Sequence, residues 1–550
     1  MRMFHSAIQK WLFNSIALFL LLVTSVWSAF AGTDILQGSQ PLFTPTASPD
    51  NLAISRDQAV TRYRYVEINF DLLEDPSTAE RIVLNLYDDV VYTAVLDRLE
   101  PTQPGGYAWV GHLLEVERSQ VILVVGGGQM AGNIISPLGQ YQVRYAGDQV
   151  HAIYTIDQSV LPSEQAPIPV FSESDAELDL PAEAADLCTS IDVMVVWTPA
   201  ARNAAGGAVA MQNLINLAVQ ETNQSYINSN ITQRIRLAHL QEVAYAETGN
   251  FETDLTRLRD PADGYIDNVH TLRNTYYADM VSMITEGSQY CGIGYLMTSV
   301  STSFASYAFS VVARFCATGN YTLAHELGHN QGARHDWYMD ANTTPYAYAH
   351  GYVNTTDRWR TVMAYNNECS ARGFYCTLLP YWSNPNLTYG GDPMGVPAGG
   401  FHPADNHQTL NNTCSTVANF RDGPDAPGAF SKTSPSDGAT GVPINPTLSW
   451  GNSNGATSYE YCVDTSNDNT CGGSWVSTAT ATSAGLSGLL NGMPYYWQVR
   501  AKNSQGTAEA NSGVWGKFTT KPPSTVYLPL TMRSANTPFN QEGINNLTRR

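Results

Sequence analysis

Between Asn51 and Ser159 apolar and polar residues alternate in short runs, "RIVLNLY", "QVILVVGG" and "YQVRYAG", separated by Gly, Pro or Asp. A period of two places every second side chain on one face, so this stretch predicts strands joined by turns. The pattern lapses in "SEQAPIPVFSESDAELDLPAEAADLC", Pro-rich and then acidic, which has the composition of an exposed linker. After Cys188 the pattern changes kind. "SIDVMVVWTP" is an apolar run of strand length, and "AARNAAGGAVAMQNLINLAVQETNQSYINS" has the spacing of one long amphipathic helix. "QRIRLAHLQEVAY", "DNVHTLRNTYY" and "ADMVSMI" follow as strand, helix and strand, with short strands at "GIGYLM" and "SVVARF". Strands alternating with helices predict an α/β sheet with helices packed on it. Beyond the quiet stretch "FRDGPDAPGAFSKTSPSDGATG", aromatic-rich strands return in "PTLSW", "SYEYCVDT", "PYYWQVRAKN" and "GVWGKFTT" at sandwich-like spacing.

A chain of 550 residues exceeds what one core organises, and the changes of pattern divide it. Residues 1–31 read as a secretory signal, 32–187 as a β-rich region ending in the acidic linker, and 188–421 as an α/β domain. A linker at 422–434, an all-β sandwich at 435–521 and an unassigned tail at 522–550 complete the chain. The signal rests on Arg2 and Lys10, the apolar "WLFNSIALFLLLVTSVW", and the small residues of Ala29-Phe30-Ala31 before Gly32, where the mature chain is expected to begin. An uncleaved anchor is the alternative, and no other stretch approaches the ~20 apolar residues that span a bilayer.

The formal charge of -20, without a Lys/Arg run, argues against nucleic acid and anionic membrane as partners. Export also makes the eight cysteines readable as disulfides. None lies between Gly32 and Leu187, six lie from Cys188 to Cys414, and Cys462 and Cys471 lie beyond. Connectivity is not fixed by sequence, but chain neighbours suggest Cys291 with Cys316 and Cys369 with Cys376, leaving Cys188 for Cys414. Zinc thiolate ligation is the competing reading, and Cys-x-x-Cys is absent.

The candidate chemistry lies in "LAHELGHNQGARHDW", Leu323 to Trp337. His325 and His329, four residues apart, share one face of a helix within reach of a single ion, and Glu326 beside them can reach a water in an open coordination position. Gly332 permits the left-handed turn that ends the helix, after which His335 can return as a third ligand. Three protein nitrogens leave a fourth position open, as a catalytic zinc site requires. His350, His402 and His407 have no metal-ligand spacing and read as surface or packing residues.

The pattern His325-Glu326-x-x-His329-x-x-Gly332-x-x-His335-Asp336 resembles the metzincin metalloproteases, and Asp336 is the variant typical of their reprolysin or adamalysin branch. "RTVMAYNN" supplies Met363 for that family's methionine turn beneath the metal. The likeness runs from about Cys188 to Arg421, where "CGIGYLM", "YWSNPNLTYGGDPMG" and "DNHQTLNNTCSTVANFR" are similar to bacterial reprolysin-like enzymes, those called peptidyl-Asp metalloendopeptidases among them. The C-terminal strands resemble a fibronectin type III module through Trp450 and "YYWQVRA". Together these imply a β-rich pro-region, an α/β metzincin catalytic domain and an all-β sandwich in a secreted, zinc-dependent endopeptidase made as a latent precursor. Zinc is the implied cofactor, with calcium a second candidate ion; proteins or peptides are the substrates. Extracellular matrix or cell-surface ligands are candidates for the C-terminal module.

In this reading Glu326 is the general base. Tyr365 is either a tyrosine that contacts zinc and the oxyanion or a packed aromatic. A substrate would add as a strand to the edge from Gly292 to Met297, with Gly294 beside it. Arg372, between Cys369 and Cys376, is either a selector of acidic P1′ side chains or a solvated surface arginine. An acidic preference would allow self-maturation before Asp175, Asp179 or Asp186. With no cysteine between Gly32 and Leu187, latency cannot use a thiol on the metal. A binding or adhesion protein with an inactive protease domain is the rival reading, and a zinc hydrolase acting on other bonds a third.

Overall fold

A computed structural model describes residues 40–49, 59–74, 80–171, 188–421, 426–503 and 506–523. The signal segment, Asp175, Asp179, Asp186 and most of the C-terminal tail lie outside these residues. Two compact units divide the chain, residues 1–422 and 423–550.

The first unit begins with nine strands: β1 (Phe43–Pro45), β2 (Val60–Ile68), β3 (Arg81–Tyr87), β4 (Val90–Thr102), β5 (Gly106–Leu113), β6 (Gln120–Gly126), β7 (Gln129–Ser136), β8 (Gly139–Gly147) and β9 (Val150–Ile156). They pair antiparallel in the order β1-β2-β9-β8-β7-β6-β5-β4-β3. The Leu42 N–H donates to the Val83 carbonyl at 3.0 Å, which brings the two ends of the sheet together. Trp109, Leu84, Leu123, Val143 and Ile153 fill one face. The other face of β5–β7, Ala108, Val110, Ile122, Val124 and Ala131, packs on Leu217 of the long helix Ala208–Asn228. That second burial explains why "QVILVVGG" is apolar without interruption.

The α/β part is one sheet in the order β10-β14-β15-β13-β11-β12, made of β10 (Ile168–Val170), β11 (Ser190–Trp197), β12 (Arg234–Glu242), β13 (Met280–Thr285), β14 (Gly292–Met297) and β15 (Phe309–Ala313). Its pairs are parallel except β14 with β15. The long helix lies between this sheet and the N-terminal one, so even Asn213, Asn216, Gln220, Glu221 and Asn223 are buried on it.

Three expectations change here. The single long helix after Thr198 is two, Pro199–Ala205 and Ala208–Asn228, because Gly206 and Gly207 take φ of +96° and +121°, outside the helical region. Helices Phe251–Arg259 and Asn406–Val417, short and polar, had no clear period to announce them. "SEQAPIPV" is not exposed linker: Ile168–Val170 form β10, parallel to Tyr295–Met297, and Glu164 is 8% exposed. The unpaired backbone of the β14 edge supplies its partners.

Disulfides join Cys188 to Cys414, Cys291 to Cys316, Cys369 to Cys376 and Cys462 to Cys471. No described helix is long and apolar enough to cross a membrane.

The second unit has two sheets around one apolar cluster that includes Trp450, Tyr459, Tyr495, Trp497 and Phe518. Its first strand, Lys432–Ser434, and the buried Phe430 precede residue 435, so this unit starts inside the expected linker.

Candidate active site

The helix Thr322–Asn330 packs against β14 and β15 with all of its residues buried. Gly332 at φ +89° ends it, and its N–H donates to the His329 carbonyl at 3.0 Å. The chain then turns back with His335. The Nε2 atoms of His325, His329 and His335 lie 3.0–3.1 Å from one another. Their orientation is set from behind, since His325 Nδ1 donates to the Val362 carbonyl at 2.9 Å and His329 Nδ1 to the Ala333 carbonyl at 2.8 Å. A carbonyl only accepts, so Nδ1 of His325 and His329 carries the proton and their Nε2 lone pairs are directed toward the convergence point. Lone pairs so placed repel unless a cation lies between them. Bonds of about 2.0–2.1 Å to a tetrahedral ion give nitrogen separations of about 3.3 Å, close to those observed. Burial lowers the pKa of all three rings, which favours the neutral form a metal needs.

Glu326 is buried beside this triad, and neither carboxylate oxygen has a hydrogen-bond partner among the described residues. Burial, reinforced by the nearby Glu164 carboxylate, raises its pKa well above the ordinary range. A Cβ on Gly292 would stand 2.7 Å from Glu326 Oε1 and 2.8 Å from Thr322 Cγ2, and one on Gly294 would stand 3.0 Å from Glu326 Oε2. Gly294 is therefore at the site, but as the space that Glu326 needs.

Met363 is fully buried beneath the helix, where Gly328 leaves room for its sulfur and for Trp382. Asp336 ties this turn to the third histidine: its Oδ2 accepts from the Tyr365 N–H at 2.8 Å and its Oδ1 from the Tyr338 N–H at 3.1 Å. The Tyr365 ring lies 4.0 Å from that of His335, and its hydroxyl donates to the Glu164 carbonyl at 2.9 Å. Tyr365 thus packs on the third histidine and holds the Glu164 carbonyl.

Arg372 is not gathered into this cluster. Its side chain is 55% exposed and its Nη2 is bonded to Glu368 at 2.8 Å, four residues back. His350 is buried and supports the third histidine, with Nδ1 at 2.7 Å from the His335 carbonyl and Nε2 at 2.9 Å from that of Asn342. Its spacing gave no sign of this, because the contact is made through backbone. Glu164, Asn320 and Thr322 also escaped sequence reading; only the closeness of the last two to His325 was there to be noticed. Among the described residues, the three histidines are the one group of three or more His, Cys, Asp or Glu side chains gathered as for a metal, and nothing there places calcium.

The family model described as Metallo-peptidase family M12 matches residues 189–375, and the one described as a BamI lipocalin-like domain matches residues 39–158. A peptidyl-Asp metalloendopeptidase of Stenotrophomonas maltophilia is 39% identical over 351 residues, 60% of this chain and 80% of that protein. A protein of the same name from Xanthomonas campestris is 36% identical over 395 residues, 69% of this chain and 90% of that protein. A third, from Pseudomonas fragi, is 39% identical over 202 residues, 36% of this chain and 100% of that protein. With that much of the relatives' length shared, and a three-histidine cluster inside the matched domain, the chain belongs to the metzincin-like M12 metallopeptidases and is a metalloendopeptidase.

Proposed function

We propose that this chain is a secreted zinc endopeptidase made as a latent precursor, with a preference for an acidic residue after the scissile bond. The observation that carries the reading is the convergence of three Nε2 atoms 3.0–3.1 Å apart next to the unpartnered carboxylate of Glu326. His325, His329 and His335 would hold the ion; when bound, zinc supplies Lewis acidity toward a carbonyl and lowers the pKa of water to about 7. Glu326 takes the proton of the attacking water and returns it to the leaving amine. Tyr365 donates its hydroxyl to the oxygen of the carbonyl under attack, as it now does to that of Glu164.

Latency is supported by residues 163–170 lying along the β14 edge: the Cys291 N–H donates to the Ser163 carbonyl at 3.0 Å and the Gln165 N–H to the Gly292 carbonyl at 2.8 Å. A peptide already paired there leaves no edge for another. Export is supported by the four disulfides and the signal-like start, and the acidic preference by the name that the relatives carry. Ligands of the C-terminal unit, proposed as fibronectin type III-like from its two sheets, are left to experiment.

The test compares wild type with Glu326→Ala on a peptide library, with and without a chelator. We expect wild type to cleave, the variant to lose about 10²- to 10⁴-fold, and chelation to abolish cleavage until zinc is restored. Equal cleavage by both proteins would overturn the reading, as would full activity after the metal is stripped.

A further inference from the structure

We infer that Asn320 and Thr322 form the subsite that reads an acidic side chain of the substrate, and that Glu164 of the chain's own N-terminal region fills it. This rests on the protease reading above and names the groups that would select the substrate. The Glu164 carboxylate is buried, and its Oε1 accepts from Asn320 Nδ2 at 3.1 Å and from Thr322 Oγ1 at 3.1 Å. Asn320 Nδ2 also donates to Thr322 Oγ1 at 3.0 Å, which leaves the threonine proton free to point at the carboxylate. Both donors sit at the start of the helix that carries Glu326 and His325, so a carboxylate held there is within one turn of the reacting groups.

The backbone of the same segment makes the contacts an extended peptide would make. Ser163 and Gln165 bond the β14 edge on either side of Glu164, the Glu164 carbonyl accepts from the Tyr365 hydroxyl, and further along Thr298 donates to the Val170 carbonyl. Glu164 therefore presents side chain and carbonyl together, as a substrate residue does at such a site. The strap runs parallel to β14.

Two neutral donors are a suitable reader for a carboxylate next to a cation. They give it hydrogen bonds without adding a fixed positive charge beside the metal site, and an alanine in its place would leave both donors buried and unpaired. A site built to bond a polar group rejects an analogue lacking it much more strongly than an apolar pocket rejects a missing methylene. The loop that carries Asn320 is itself held by the N-terminal sheet, through Gln142 Nε2 to the Thr318 carbonyl at 3.2 Å and Gln120 Nε2 to the Tyr321 hydroxyl at 3.3 Å.

The experiment uses the full chain, before and after limited proteolysis, and two peptide series that carry Asp, Glu, Asn or Ala at one position, the residue whose carbonyl is attacked in the first series and the residue after the scissile bond in the second. The readout is the ratio of kcat/KM for the acidic peptides to that for the alanine peptide. We expect Asn320→Leu and Thr322→Val each to lower this ratio at least tenfold, and Thr322→Ser to restore it. A merely structural role would lower both rates together and leave the ratio unchanged, which overturns the assignment. A wild type that cleaves without acidic preference overturns it too, while leaving the protease reading intact; a wild type that cleaves no peptide sinks that reading first. Should the pocket variants not fold, Glu164→Gln tests the same contact from the other side. The uncut variant is expected to hydrolyse the acidic peptide at least threefold faster than uncut wild type, and equal rates would overturn occupancy by Glu164.

Discussion

Tyr365 separates two roles that sequence left equal. Its ring is packed, 6% exposed and 4.0 Å from the ring of His335, while its hydroxyl is spent on the Glu164 carbonyl. Burial and the neighbouring carboxylates keep that hydroxyl protonated, so it acts as a donor. If it serves the carbonyl under attack, Tyr365→Phe should lower kcat about 10²- to 10³-fold with KM changed little, the loss found when one oxyanion donor is removed. A kcat within threefold of wild type would leave Tyr365 as packing alone. Single residues also explain what spacing could and could not convey. His325 and His329 were legible because helix geometry fixes where residues four apart must point, and Gly332 because a left-handed turn favours glycine. Arg372 was not, because its neighbour Glu368 occupies it, and pairing on the surface depends on a loop whose course no period describes.

At the scale of elements, the helix Thr322–Asn330 and β14 fit only because two glycines face Glu326. Gly292 and Gly294 remove the side chains that would otherwise meet Glu326. Gly292→Ala should therefore displace the carboxylate and lower kcat at least tenfold, with an overpacking cost of about 1–3 kcal/mol that lowers the melting temperature while circular dichroism keeps its native shape. An active alanine variant would show that the helix has slack against the strand. The same strand edge holds residues 163–170, and the apolar run "GIGYLM" did announce a strand there. The strap was missed because three short residues of strand amid Pro and Glu carry no periodicity; their pairing is conferred by the edge they meet.

The whole first unit shows why the N-terminal sheet and the α/β part share a core. Leu217 fills an apolar patch on the sheet, and Glu221 is buried between them, accepting from the Gly319 N–H at 2.9 Å and from the Asn133 amide. Burial raises the Glu221 pKa to about 8. An acid whose pKa is raised in the packed state favours packing while protonated: its contribution is full below its ordinary pKa of about 4.3 and is lost as pH rises through about 8. With the chain nicked between the two parts, their association should weaken from pH 5 to pH 8.5, and Glu221→Gln should flatten that dependence, as read by co-elution. An unchanged slope in the variant would assign the pH dependence to other groups. Tyr321, which faces Glu221, is itself held protonated by burial across this range and leaves the sign unchanged.

What the sequence by itself determined is local. Periods of two and of about 3.6, a helix-ending glycine, and histidines at fixed intervals depend on neighbours a few residues away, and they marked strands, the helix Thr322–Asn330 and the three histidines that the fold gathers. The pairings of Cys291 with Cys316 and of Cys369 with Cys376 were legible for the same reason, as was the resemblance carried by a contiguous motif. The tertiary structure decided which edge meets which segment: Glu164 against Asn320 and Thr322, the Tyr365 hydroxyl on a carbonyl 201 residues away, and Asn133 on Glu221. Such contacts join positions far apart in the chain, where the pairing is set by the packing of whole sheets and by the need to satisfy buried polar groups, and no local pattern encodes either.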